Sequence, residues 1–297
     1  MKDRDIRSIL VASDFSADAN HAANRAALLA REHKASLRLL TVVRESLLRE
    51  LRKYLGAQSD ATQRILDSTQ LDVDALAARL KDTAEVSERM VRAGDVEAEI
   101  LAAADHSDVL VLGAHGLNPT RDLLLGTTAE RMLRKSRRPM IVVRKEPRAA
   151  YQRVFVAVDF SMHSMAALAF AVRIAPSAHL HVFHAFECPY ESKLRRADIA
   201  EEILRQLQSR CRDQAFANVR NMIEKSEAPV ERVSSVVVSG NPRHVTHAAA
   251  AEWGADLIVL GKHGHSAIGE FFLGGVTRHT LSRAESDVAV IPHYPRL

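Results

Sequence analysis

Three glycines and a threonine stand at regular intervals in the first half of the chain. Two residues separate Gly113 from Gly116, nine separate Gly116 from Gly126, and Thr127 follows at once. A residue without a Cβ lets the backbone turn tightly and approach a ligand closely. The run Val109–Leu112 that leads into Gly113 reads as a strand, and Thr127–Arg137 reads as a helix. A strand, a glycine loop and a helix N-terminus in that order suit a phosphate, because the first helical N–H groups are free and carry partial positive charge. Two uses compete for the Thr127 hydroxyl. It opens Thr127-Thr128-Ala129-Glu130, which fits a capping box, or it donates to a phosphate; the segment alone leaves both open.

Asp14 follows the first apolar run, Ile9–Ala12. An aspartate there either caps the next helix or accepts hydrogen bonds from a ribose or base. The same elements return later in the chain. Ile9–Ser16 recurs as Val154–Ser161, Val109–Gly116 as Leu257–Gly264, Leu124-Leu125-Gly126 as Phe272-Leu273-Gly274, and Met140–Val143 as Val288–Ile291. The offsets are 145, 148, 148 and 148 residues, in the same order. Two domains, 1–146 and 151–297, are expected around a polar junction containing Pro147. The second copy keeps Asp159, Gly261, Gly264 and Gly274 but has Gly275 where the first has Thr127. A hydroxyl bonded to a charged phosphate contributes roughly 1.5–3 kcal/mol, so the second site is expected to bind more weakly or to be empty.

These residues need a scaffold that brings strand ends together. Candidate strands lie at 7–13, 36–43, 85–91, 108–113 and 139–144, several of them continuously apolar, as strands buried on both faces are. Helical patterns lie between them at Ala19–Lys34, at Leu47, Leu48, Leu51, Tyr54 and Leu55, and at Val96–His106. Such alternation predicts an α/β fold with a doubly wound parallel sheet in each half. Ligands of such sheets bind beyond the carboxyl ends of the strands, where the strand order reverses. The charged segments 45–81 and 188–226 are read as helices covering a sheet face, and no site residues are assigned to them.

The glycine pattern, with an aspartate closing the first strand, resembles the ATP-binding type of universal stress protein. The resemblance covers nearly the whole chain as a tandem pair and includes the Leu-Leu-Leu-Gly before the helix and the Pro139-led last strand. It implies five parallel strands per domain in the order 3-2-1-4-5, and ATP, with or without magnesium, as ligand. It places adenine near Asp14 and Val42, and ribose and phosphates at the glycine loop with Thr127 and Thr128; it extends to His115 inside the loop. In the second copy the corresponding positions are Asp159, Gly261, Gly264, Gly274 and Gly275. The family tends to pair through its last strand, which implies a homodimer or an intramolecular domain pair. The function implied is a stress-response sensor or regulator, at most a slow ATPase or autophosphorylating protein. Two alternatives stand beside it. One is an ATP-dependent enzyme of a related α/β superfamily, but those carry a Ser-Gly-Gly loop after strand one where this chain has Ala12-Ser13-Asp14-Phe15-Ser16. The other is a dimerisation module with degenerate sites, against which the intact first motif argues.

Bulk properties narrow the classes further. The net charge is +4 over 297 residues, and each half carries +2. So small and even an excess is no nucleic-acid footprint. The two cysteines, Cys188 and Cys211, exclude a disulfide framework and a cysteine-rich zinc site. The N-terminus has no apolar signal region, and no apolar run approaches the length of a membrane span; a cytoplasmic protein is expected. Nine of the fourteen histidines lie from His179 to His293. His244 and His247 have a spacing that can bind metal. Without a carboxylate partner they are read as hydrogen-bonded or surface histidines.

Overall fold

The apolar runs form strands in the computed structural model, which describes residues 5–55, 60–117, 125–189, 191–197, 199–226, 228–264 and 272–292. Leu124, His265, His293 and the first four residues of the chain lie outside these. Two compact units divide the chain: Met1–Ala150 with Asp287–Ala289, and Tyr151–Ser286 with Val290–Leu297.

The first unit contains β1 (Ser8–Ala12), α1 (Ala17–His33), β2 (Ser36–Arg44), α2 (Glu45–Leu55), α3 (Ala61–Leu80), β3 (Val86–Gly94), α4 (Val96–Ala104), β4 (Val109–Gly113), α5 (Thr127–Lys135) and β5 (Met140–Val143). The strand order is β3-β2-β1-β4-β5. β1 lies parallel to β2 and to β4, with Ile9 opposite Leu37 on one side and Val109 on the other. The order therefore reverses between β1 and β4. β3 runs to Gly94, past the expected end at 91, because its pairing with β2 continues to Arg44 opposite Gly94. Ile9, Leu10 and Val11 are fully buried, as strands covered on both faces must be. Helix α1 buries Ala22, Ala23, Ala26 and Ala27; small side chains let it lie close against the sheet.

The second half of the sequence repeats the pattern with β6 (Arg153–Ala157), α6 (Met162–Ile174), β7 (His179–Phe186), α7 (Glu191–Arg196), α8 (Glu201–Lys225), β8 (Val233–Ser239), α9 (Pro242–Trp253), β9 (Leu257–Gly261), α10 (Gly275–Arg283) and β10 (Asp287–Ile291), whose first three residues group with the first unit. Its order is β8-β7-β6-β9-β10. Both cysteines are free thiols. Burial first, and then Cys211 beside it, push the Cys188 thiol up to about 12. Among the described residues no helix is long and apolar enough to cross a membrane.

Candidate functional site

The turn after β1 is built around a strained residue. Phe15 has φ 63°, and Phe160 repeats it with φ 65° in the second unit. Such backbone is uncommon for a bulky residue and costs on the order of 1–3 kcal/mol. It turns the chain so that Asp14 bonds in two directions. Its Oδ1 accepts from the Ser16 N–H at 3.1 Å, and its Oδ2 accepts from the Leu117 N–H at 2.9 Å, in the loop after β4. The cap of α1 is Ser16, whose Oγ accepts from the Ala19 N–H. Asp14 is thus not the helix cap; its carboxylate ties the first turn to the glycine loop.

That tie explains Gly116. A Cβ there would stand 2.6 Å from Asp14 Oδ2. Gly113 has a different reason: a Cβ would stand 2.6 Å from the Asp18 carbonyl carbon, in the first turn of α1. A Cβ at Gly126 would stand 3.0 Å from the Ala114 carbonyl oxygen. The glycines therefore admit the protein's own turns as well as a ligand. Asp18 also holds the loop from the other side. Its Oδ2 accepts from the His115 N–H at 3.0 Å and lies 2.8 Å from His115 Nδ1.

The capping-box expectation for Thr127 fails. Gly126 is the N-cap of α5 and no side chain bonds into the cap. Thr127 is already inside the helix, so its hydroxyl lies beyond the capping position, and Glu130 pairs with Arg134 instead of reaching back. Among the described residues neither Thr127 nor Thr128 spends its hydroxyl on a protein partner.

Asp14, Val42, Gly113, His115, Gly116, Gly126, Thr127 and Thr128 all border one cleft of about 760 Å³ at the carboxyl ends of the strands. Its floor is apolar, with Ala12, Leu40 and Leu112 among the lining residues, and its far wall brings Glu50 from α2 and Thr69 and Asp72 from α3. Sequence reasoning assigned no residues to that wall, because residues 45–81 carry no recognisable binding motif. Thr41 also borders the cleft, and its Oγ1 is buried with no hydrogen-bond partner among the described residues. An unpaired buried hydroxyl beside an apolar floor suits a flat heteroaromatic ligand that can bond to it. The helix end and its two hydroxyls suit that ligand's phosphates.

The second unit keeps the first turn but not the helix end. Asp159 Oδ1 accepts from the Ser161 N–H at 3.0 Å, and a Cβ on Gly264 would stand 2.4 Å from Asp159 Oδ2. A Cβ on Gly261 would stand 2.8 Å from the His163 Cβ, and one on Gly274 would stand 3.4 Å from the Lys262 carbonyl oxygen. Gly274 caps α10, and Gly275 has the Arg243 guanidinium against it: a Cβ would meet Nε at 2.5 Å. His179 and His181 share the Ser234 hydroxyl, and His184 Nδ1 donates to the Val158 carbonyl. Among the described residues no three His, Cys, Asp or Glu side chains gather to hold a metal ion.

Comparison with known proteins agrees with this architecture. A universal stress protein of Thermus aquaticus is 29% identical over 143 residues, covering 48% of this chain and 98% of that protein. One from Methanocaldococcus jannaschii is 22% identical over 156 residues, covering 48% and 94%. Over the full length, the crystal structure of a universal stress protein from Archaeoglobus fulgidus aligns with TM-score 0.70 and 21% identity, covering 96% of this chain and 95% of that one. A putative universal stress protein from Pseudomonas aeruginosa aligns with TM-score 0.63 and 19% identity, covering 97% and 93%. The Universal stress protein family pattern matches residues 5–144 and again 150–292. The chain therefore belongs to the universal stress protein family and carries that family's domain twice.

Proposed function

We propose that the cleft of the first unit binds ATP or another adenine nucleotide, and that the protein serves as a stress-response sensor or regulator. The observation that carries this reading is the convergence of eight residues on one cleft whose helix-end hydroxyls have no protein partner among the described residues. A cleft of about 760 Å³ falls within the range of small-molecule sites, roughly 300–1,000 Å³. The base would lie over the apolar floor near Asp14, Thr41 and Val42. The phosphates would lie against the glycine loop, Thr127 and Thr128. Magnesium accompanying them would be held chiefly by the phosphates and water, since no three-ligand cluster exists among the described residues.

The second unit is the weaker nucleotide site in this reading, because Gly275 has no hydroxyl to give. A slow hydrolytic activity is a second reading, favoured by the Asp18–His115 pair at the rim. A carboxylate on Nδ1 leaves Nε2 as the free nitrogen, able to accept a proton from water.

The test is direct. Purified protein is denatured and any released nucleotide identified by mass, and ATP binding is measured by calorimetry on the wild type and on Gly126→Asp. Binding that the substitution abolishes is expected. No released nucleotide together with no calorimetric binding would sink the proposal.

A further inference from the structure

The two copies reverse their charge at one point of the repeat. In the first unit Glu97, the second residue of α4, accepts from Arg131 at 2.8 Å and from Lys135, both on α5. Matching Gly94-Asp95 to Gly240-Asn241 puts Arg243 at the Glu97 position. Matching Gly126 to Gly274 puts His279 and Arg283 at the positions of Arg131 and Lys135. The acid between two bases has become a third base.

The result is a cluster of two arginines and three histidines with no acidic partner for either arginine among the described residues. α9 packs against α10, and the His279 ring lies 5.4 Å from His244 and 5.1 Å from His247. Neither Arg243 nor Arg283 has an ion-pair partner among the described residues. His247 Nδ1 is buried with no hydrogen-bond partner among the described residues. The Arg243 guanidinium lies against Gly275 at the start of α10, where the helix dipole disfavours a cation. Arg243 and Arg283 carry like charge, and both oppose protonation of His279. An anion set among them removes both costs.

We propose that the α9–α10 face of the second unit binds a phosphate group, with Arg243 and Arg283 as charge-assisted donors and His279 between them. The phosphate stands where the Glu97 carboxylate stands in the first unit. Guanidinium groups suit this chemistry because they present paired N–H donors to a phosphate. The ligand is a phosphate chain, free or carried on a nucleotide. This site does not depend on the ATP reading of the first cleft.

Full-length protein is titrated with inorganic tripolyphosphate, and separately with ATP, in low salt. Wild type, Arg243→Ala and Arg243→Glu are compared. Tripolyphosphate affinity is expected to fall about tenfold or more in Arg243→Ala. In Arg243→Glu it is lost, while the melting temperature holds or rises, because the new carboxylate recreates the pairing of the first unit. Wild-type binding is tighter at about pH 6 than at about pH 8. Desolvation first, and then His247, Arg283, His244 and Arg243, hold His279 below the usual imidazole value, and a bound anion favours its protonated form. Loss of tripolyphosphate binding alone assigns a free phosphate chain; loss of a second ATP component as well assigns a nucleotide-borne one. Equal tripolyphosphate affinity in the wild type and Arg243→Glu overturns the proposal, as does no binding to the wild type. Absence of ATP at the first cleft would remove the proposed function and leave this result standing.

Discussion

Thr127 lies inside α5 and leaves the cap to Gly126, which separates two roles that usually coincide. Thr127→Val is expected to leave stability within about 0.5 kcal/mol of wild type while ATP affinity falls about ten- to a hundredfold. Thermal denaturation and calorimetry on one preparation check both; a stability loss near 1 kcal/mol would restore the capping role. The glycines separate in the same way. Gly113→Ala sets a Cβ 2.6 Å from the backbone of α1, which cannot step aside, so a loss of about 1–3 kcal/mol is expected. Gly275→Ser sets one 2.5 Å from the end of the flexible Arg243 side chain, which can move. Its melting curve is expected to stay within about 0.5 kcal/mol of wild type. Equal losses in the two variants would contradict this account of the glycines.

At the scale of elements, α4 and α5 are joined through Glu97. The Lys135 hydrogen bond is the largest influence on that carboxyl; burial opposes it and Arg131 adds to it, so the carboxyl sits below its ordinary value of 4.5. Stability from a depressed carboxyl is fully present above the unfolded value and is lost as pH falls through the folded one. Glu97→Gln is therefore expected to melt lower than wild type at neutral pH, with the gap closing below about pH 4. Melting curves across that range decide it, and a gap that persists in acid would assign the loss to packing. The turn after β1 is also an element-scale device. Ser16 caps α1 and donates from Oγ to the His115 carbonyl oxygen at 3.4 Å, so helix and loop share one residue.

Across the whole molecule, two copies of one domain have diverged at the start of the helix after the glycine loop. The first presents two hydroxyls there, the second a guanidinium. ATP is accordingly expected to protect amides of the first unit from hydrogen exchange, around Phe15–Ala19, His115–Leu117 and Thr127–Glu130. The matching segments of the second unit should show less protection at the same ATP concentration. Two equal tight sites in a titration would contradict that asymmetry.

The sequence by itself determined the doubled α/β architecture. Apolar runs such as Ile9–Ala12 and Val109–Leu112 have no polar face and are too short for a helix, so they read as buried strands, and an ordered repeat implies two such sets. Glycine spacing and a strand-end aspartate are local signals and marked Asp14, Gly113, Gly116, Gly126 and Thr127; Val42, His115 and Thr128 came only with the family resemblance. Only the tertiary structure decided what those residues do to one another. Asp14 and Leu117 lie 103 positions apart and meet through a hydrogen bond, and Asp18 reaches His115 across 97. No local pattern encodes contacts of that range. No residue of the α2–α3 wall could be assigned for the same reason, since its residues belong to an ordinary amphipathic covering until the fold places them beside the cleft. The exchange of Glu97 for Arg243 could be read from the repeat. That Arg243 lies against Gly275 could not, because its position depends on how α9 packs on α10.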